Sequence, residues 1–213
     1  AVTAVIVISI KFIPPSTGET SKIVRAVPIN SPVFFETKNF PDFIKKIRNN
    51  EYWKELLQIQ YFDRLNQHLS FIDSVILKNT DIADLFARQS VVISTHLTGK
   101  TDFNFIFYTK ADHLFNQNNA NDFILKIIGS NATVSERNYN KKTIYDVRLN
   151  SHGRFKNFSY AFSDNIFILS QSSLLVEDAV RQSDADKSLL NDKEFCKVSK
   201  TSGLNVEANI YIN

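Results

Sequence analysis

The residues in this chain best able to move protons, hold metals or attack an electrophile are four histidines (His68, His96, His113 and His152) and one cysteine, Cys196. No HExxH, HxH or Cys/His spacing links them, so no local metal site is expected. His96 stands out, because Ser94 and Thr98 flank it at alternate positions in Ser90–Thr98, SVVISTHLT. On a strand, residues two apart share a face. Ser94 and His96 therefore have the residue types by which a base activates a hydroxyl nucleophile. The same alternation arises on any sheet face, where the histidine is a surface or partly packed residue bonded to its neighbours. A hydrolase or transferase built from distant residues would use His96 with one of Ser94, Asp102 or Asp146.

Other signatures are missing. There is no GxSxG elbow, no GxxxxGK[ST] and no GxGxxG, and five glycines leave little material for one. The carboxylate pairs Asp81/Asp84, Glu177/Asp178 and Asp192/Glu194 fall at helix starts or on polar faces, where dipole complementarity and solvation account for them. Cys196 reads as a small packed residue. Asn131-Ala-Thr and Asn157-Phe-Ser fit the glycosylation pattern, which matters only in a eukaryotic secretory route. No residue is assigned a catalytic, cofactor-binding or metal-ligating role, and no cofactor is expected.

The elements around these residues are easier to read. Val33–Thr37 forms a first strand. Asn39 and Pro41 start a helix carrying Phe43, Ile44 and Ile47, and a second begins near Asn50 and Glu51 with Trp53, Leu56 and Leu57 on one side. Phe62, Leu65, Leu69, Ile72 and Ile76 recur every three or four residues, as in an amphipathic helix. Thr80 or Asp81 caps another. Val91, Ile93 and Leu97 then alternate with Ser94, His96 and Thr98, Gly99-Lys100 makes a turn, and Phe103, Phe105 and Phe107 alternate on the return. That is a hairpin in a half-buried sheet.

Ala120 to Ile128 reads as a helix ending near Gly129. Strands follow around Thr143–Leu149, Phe155–Phe162 and Ile166–Ser170, with Asp164-Asn165 as a tight turn. Helices over Ser173–Arg181 and Asp192–Ser199 precede a last strand, in which Val206, Ala208, Ile210 and Ile212 alternate. Antiparallel hairpins covered by amphipathic helices make an α+β fold. A strand, a helix pair and a long hairpin in each half hint at a weak internal duplication.

Composition limits the function classes. The chain has 213 residues, 43% of them hydrophobic, with 18 Phe, 7 Tyr and no Met. One cysteine excludes an intrachain disulfide. The net charge is +3, with 13 basic against 10 acidic residues through Lys110 and 12 against 12 beyond it. No basic patch or reading motif supports nucleic-acid binding. Phe103, Phe105, Phe107, Phe158, Tyr160 and Phe162 read as a core face, or as the lining of a lipid or hydrophobic-ligand groove.

The first 13 residues, AVTAVIVISIKFI, are apolar but too short to cross a bilayer, which takes roughly 20 residues. They read as the remainder of a membrane anchor or signal segment, with a buried strand as the alternative. Residues 14–25 read as a linker, and residues 26–213 as the α+β domain, the N-terminal part of a longer protein.

Val27-Pro28 before the strand Val33–Glu36 resembles the domain opening of bacterial envelope proteins filed as a domain of unknown function, DUF 3352. Ser94-Thr95-His96 in the first hairpin is similar, as are Leu169-Ser170-Gln171-Ser172 leading into Leu174-Leu175-Val176-Glu177. Ser188-Leu189-Leu190 before Asp192, Phe195 and Val198, and the strand Ala208–Asn213, extend the resemblance over about Ala26 to Asn213. It implies a single N-terminal tether in the inner membrane, a body in the periplasm, the membrane as partner, and no known reaction or site residue. The expected function is thus a membrane-tethered structural or interaction domain of the cell envelope.

Overall fold

In the strand Val33–Thr37 (β1), Phe34 and Phe35 point to opposite sides, and both are buried. A sheet that buries aromatic side chains on both sides must be covered on both. The computed structural model describes residues 22–76, 80–100, 102–113, 115–119, 122, 124–125, 132–150, 156–203 and 205–213, and it shows how this is done.

Beyond β1 the strands are Val91–Leu97 (β2), Phe103–Lys110 (β3), Ala132–Tyr139 (β4), Lys142–Leu149 (β5), Asn157–Ser163 (β6), Ile166–Ser170 (β7) and Asn209–Ile212 (β8). They form one antiparallel sheet in the order β4-β5-β6-β7-β3-β2-β1-β8. The helices are Phe40–Asn49 (α1), Glu51–Leu56 (α2), Gln60–Ile76 (α3), Thr80–Arg88 (α4), Ser173–Ser183 (α5) and Lys193–Ser199 (α6). The α+β fold, built from hairpins and covered by amphipathic helices, is as expected.

The back face carries α1 to α4. Phe40, Phe43 and Ile44 of α1, Trp53 of α2 and Leu65, Leu69 and Ile72 of α3 close over Ile93, Phe105 and Phe107. Further along that face, Tyr145, Tyr160, Phe158, Phe162 and Phe167 pack with Phe115. The front face carries α5, whose Leu175, Val176, Ala179 and Val180 form a one-sided stripe over Ile106, Ile144, Ala161 and Ile168. The larger of these side chains, Val, Leu, Ile and Phe, stabilise the fold by roughly 1.5–3 kcal/mol each when fully buried.

Local signals explain the ends of elements. Asn39 accepts from the Asp42 N–H, Asn50 from that of Tyr52 and Asp192 from that of Phe195, three side-chain caps on α1, α2 and α6. Asp164-Asn165 turns between β6 and β7 with positive φ at both residues, as expected, and Asn140-Lys141 does the same between β4 and β5.

Several expectations need correction. Residues 22–25 belong to the packed body rather than to a linker. Lys22–Ala26 is a 3-10 turn with Ile23 and Val24 buried, and Arg25 Nε donates to the Ser183 carbonyl at the end of α5. The β2–β3 loop runs from Thr98 to Asp102, longer than a two-residue Gly99-Lys100 turn, because Leu97 pairs with Phe103. There the Thr98 and Gly99 N–H groups both donate to the Asp102 carbonyl. Strand β4 was not expected at all. Its sequence, ATVSERNY, has no apolar alternation, because an edge strand buries little. The sheet is not half-buried, since Ser94 and His96 on the polar side of β2 are buried as well. The expected helix over 120–128 lies largely outside the described residues, as do residues 1–21, Asn131, His152 and Phe155.

Candidate functional site

The β2–β3 register sets Ser94 opposite Ile106, His96 opposite Asn104 and Val92 opposite Tyr108. Ser94, His96 and Tyr108 consequently share the front face. Ser94 Oγ and His96 Nε2 are hydrogen-bonded at 2.7 Å, and Ser94 Oγ and Tyr108 Oη at 3.1 Å. A neutral imidazole offers one donor and one acceptor. With Tyr108 donating to Ser94 and Ser94 donating to Nε2, each hydroxyl hydrogen is used. The distance is one at which an imidazole can take a proton from a serine.

The surroundings oppose that use. Ser94 is 0% and His96 5% exposed, so His96 is no surface histidine. Burial pushes the His96 pKa down to about 4, and the Asp178 carboxylate pulls it upward to a lesser extent. Burial also raises the Tyr108 hydroxyl, with the Ser94 hydrogen bond acting against it. Asp178 is held by Arg181 at 2.5 Å, so it does not serve as an orienting carboxylate on the imidazole. The three groups form a sealed hydrogen-bonded chain whose proton-accepting nitrogen stays neutral at ordinary pH.

Of the carboxylates expected to join His96, neither does. Asp102 lies at the base of the β2–β3 loop, just before β3, where it accepts from Arg64 at 3.0 Å. Asp146 lies on β5, four strands from β2. Its Oδ1 accepts from Ser159 Oγ at 2.5 Å and its Oδ2 from Arg137 Nε at 2.8 Å, while Arg137 also pairs with Glu177 of α5 at 2.6 Å. This network ties β4, β5 and β6 to α5. A cleft of about 470 Å³ beside it is lined by Thr133, Ser135, Asp146, Arg148 and Ser159. Each oxygen of Asp146 accepts one hydrogen bond from a neighbouring strand, so the carboxylate serves to join β4, β5 and β6.

The phenylalanine stripe packs upon itself. Phe105, Phe107, Phe158, Tyr160 and Phe162 are buried, with Phe105 against Tyr61 and Phe103, and Phe158 against Phe71. His68 of α3 joins them, its ring edge-on to Phe105 at 5.0 Å. Burial, and secondarily the charge of Arg64, lower its pKa to about 4. Cys196 is half-buried, and its thiol donates to the Leu190 carbonyl.

Sequence reasoning found Ser94 and His96 but missed Tyr108, fourteen residues from Ser94. Only the true loop length sets the parity that brings Tyr108 to the same side. It also missed a groove of about 810 Å³ between β8 and α6. The alternation of Ile210 and Ile212 read as an ordinary strand, and only the structure shows that both are exposed.

Among the described residues no cluster of three His, Cys, Asp or Glu side chains converges as a metal site. No helix among them is long and apolar enough to cross a membrane. Comparison with protein-family models, curated proteins and solved structures finds no match, so the residues themselves carry the functional reading.

Proposed function

We propose that this chain is a non-catalytic interaction domain of the bacterial cell envelope, tethered to the inner membrane through an anchor to which its apolar N-terminal segment belongs, with the body in the periplasm. The apolar run Ala1–Ile13, the polar stretch after it and the envelope-protein resemblance support the location. One observation carries the non-catalytic half: Ser94 and His96, the best nucleophile and base in the sequence, are closed off from solvent. Nucleophilic catalysis requires the hydroxyl to reach a substrate.

Fractionation of the full-length protein tests the location. It should sediment with membranes, and protease added outside the inner membrane should cleave the body; recovery in the cytosol would overturn the address. The Ser94–His96 distance of 2.7 Å favours a second reading, a serine hydrolase. A fluorophosphonate probe should leave Ser94 unlabelled. Labelling that disappears in Ser94→Ala and His96→Ala would establish the hydrolase instead.

A further inference from the structure

The two edges of the sheet are finished differently. On β4, eight residues long, Glu136 and Arg137 place charges along the edge. β8 is Asn-Ile-Tyr-Ile, without a charge, and nothing among the described residues pairs with its outer side. Charges and bulges are the usual protection of an edge. β8 has neither.

The pairing of β8 with β1 fixes which backbone groups are open. The Asn213 N–H donates to the Pro32 carbonyl, and Tyr211 lies opposite Phe34. In an antiparallel ladder, residues that bond inward alternate with residues that bond outward. The N–H and C=O of Ile210 and Ile212 therefore face away from β1. The two side chains are also open, at 60% and 82% exposure.

On the other side of β8, Tyr211 turns inward against Phe34 and Phe195. It floors the 810 Å³ groove whose far wall is α6, with Val198 exposed on it. The groove's charged lining is Asp186, Asp192 and Glu194 against a single Lys187. An open strand edge, an apolar floor and an acidic wall are the elements of recognition by strand addition, where main-chain bonds give affinity and pockets for alternate side chains give selectivity.

We infer that β8 captures an extended segment of another polypeptide, one with aliphatic side chains at alternate positions and lysine or arginine flanking them. This deepens the interaction-domain reading and rests on it. The captured segment becomes a ninth strand. Its backbone pairs with Ile210 and Ile212, every second side chain enters the groove over Tyr211 and Phe195, and its basic flanks meet Asp186, Asp192 and Glu194.

The probe is a synthetic peptide, Lys-Lys-Val-Thr-Val-Thr-Val-Lys-Lys, with a twin that carries glutamate in place of each lysine. Titrated into the full chain, the lysine peptide should bind at least tenfold more tightly than the twin, and it should slow hydrogen exchange at the Ile210 and Ile212 amides. Ile212→Pro removes an N–H that β1 does not use, so the fold should be kept and peptide binding lost. No binding, equal binding of the two peptides, or binding unchanged in Ile212→Pro each overturns the inference. So does a dimer that Ile212→Pro dissolves, which would make the occupant a second copy of this chain. All these results are independent of membrane fractionation and of Ser94 labelling, so the inference can fail while the envelope reading stands.

Discussion

The two faces of the sheet are sealed by different means. At the back, rings pack against rings: His68 lies against Phe105 and Phe107, and Phe105 against Tyr61. At the front, α5 covers a face that includes hydroxyls and an imidazole, and Ser94, His96 and Tyr108 satisfy one another. Apolar packing depends on volume and tolerates exchange among groups of similar size. A buried polar chain depends on having every partner present. Nevertheless, the two histidines arrive at the same pKa of about 4, because burial dominates in both settings.

The largest expected effect tests that shared property. Both histidines have folded-state pKa values below the unfolded value of about 6.5, so the unfolded chain takes up protons first. Their contribution is constant above about pH 6.5 and is lost as pH falls towards 4. Each loss is of order 3 kcal/mol, and the two together approach the whole stability of a typical domain. Urea midpoints should therefore fall steeply between pH 6.5 and 4. A flat profile over that range would show that the histidines are not sealed.

Next comes the ring face itself. Phe105→Ala should cost about 4 kcal/mol, since it empties the centre of the back layer. Urea denaturation at pH 7 measures this, and a loss below about 1 kcal/mol would mean the rings are loosely packed. His68→Phe sharpens the contrast between the histidines. It and His96→Phe should each lose about half of the acid slope, because each removes one of the two proton acceptors.

Ser94→Ala leaves the imidazole nitrogen and the Tyr108 hydroxyl without their shared partner, at a cost of about 2 kcal/mol. Tyr108→Phe removes only the outer end of the chain and should cost about 1 kcal/mol. If the serine variant proved the milder of the two in thermal and urea melts, the hydrogen-bonded account of the front face would be wrong.

What could be read in the sequence follows from which forces leave a pattern. Phe103, Phe105 and Phe107, and the stripe Leu65, Leu69 and Ile72, declare themselves through period, because burial on one side selects apolar residues at regular spacing. The polar side of β2 misled. Ser94 and His96 look solvent-facing, and only tertiary structure shows that both are buried. Edge strand β4 leaves no period to detect. Residues 22–25 follow a polar stretch, so nothing local marks Ile23 and Val24 as the point where the packed body begins. Tyr108 joined Ser94 through loop length, a property of geometry rather than of residue type.

One pairing governs how the molecule is made. β3 is flanked by β2 on one side and by β7 on the other, and the seam between β3 and β7 joins Phe105 to Ser170, 65 positions later. The first hairpin can close soon after it leaves the ribosome, but its inner edge must wait for β7 to be synthesised. At the usual pace of translation that delay is ~3–13 s. During it, the Phe-rich strand destined for the centre of the sheet presents an unpaired side to every neighbouring nascent chain. A strand at the centre of the finished sheet is thus its most vulnerable one during birth, and that is where a chaperone would have the most to shield.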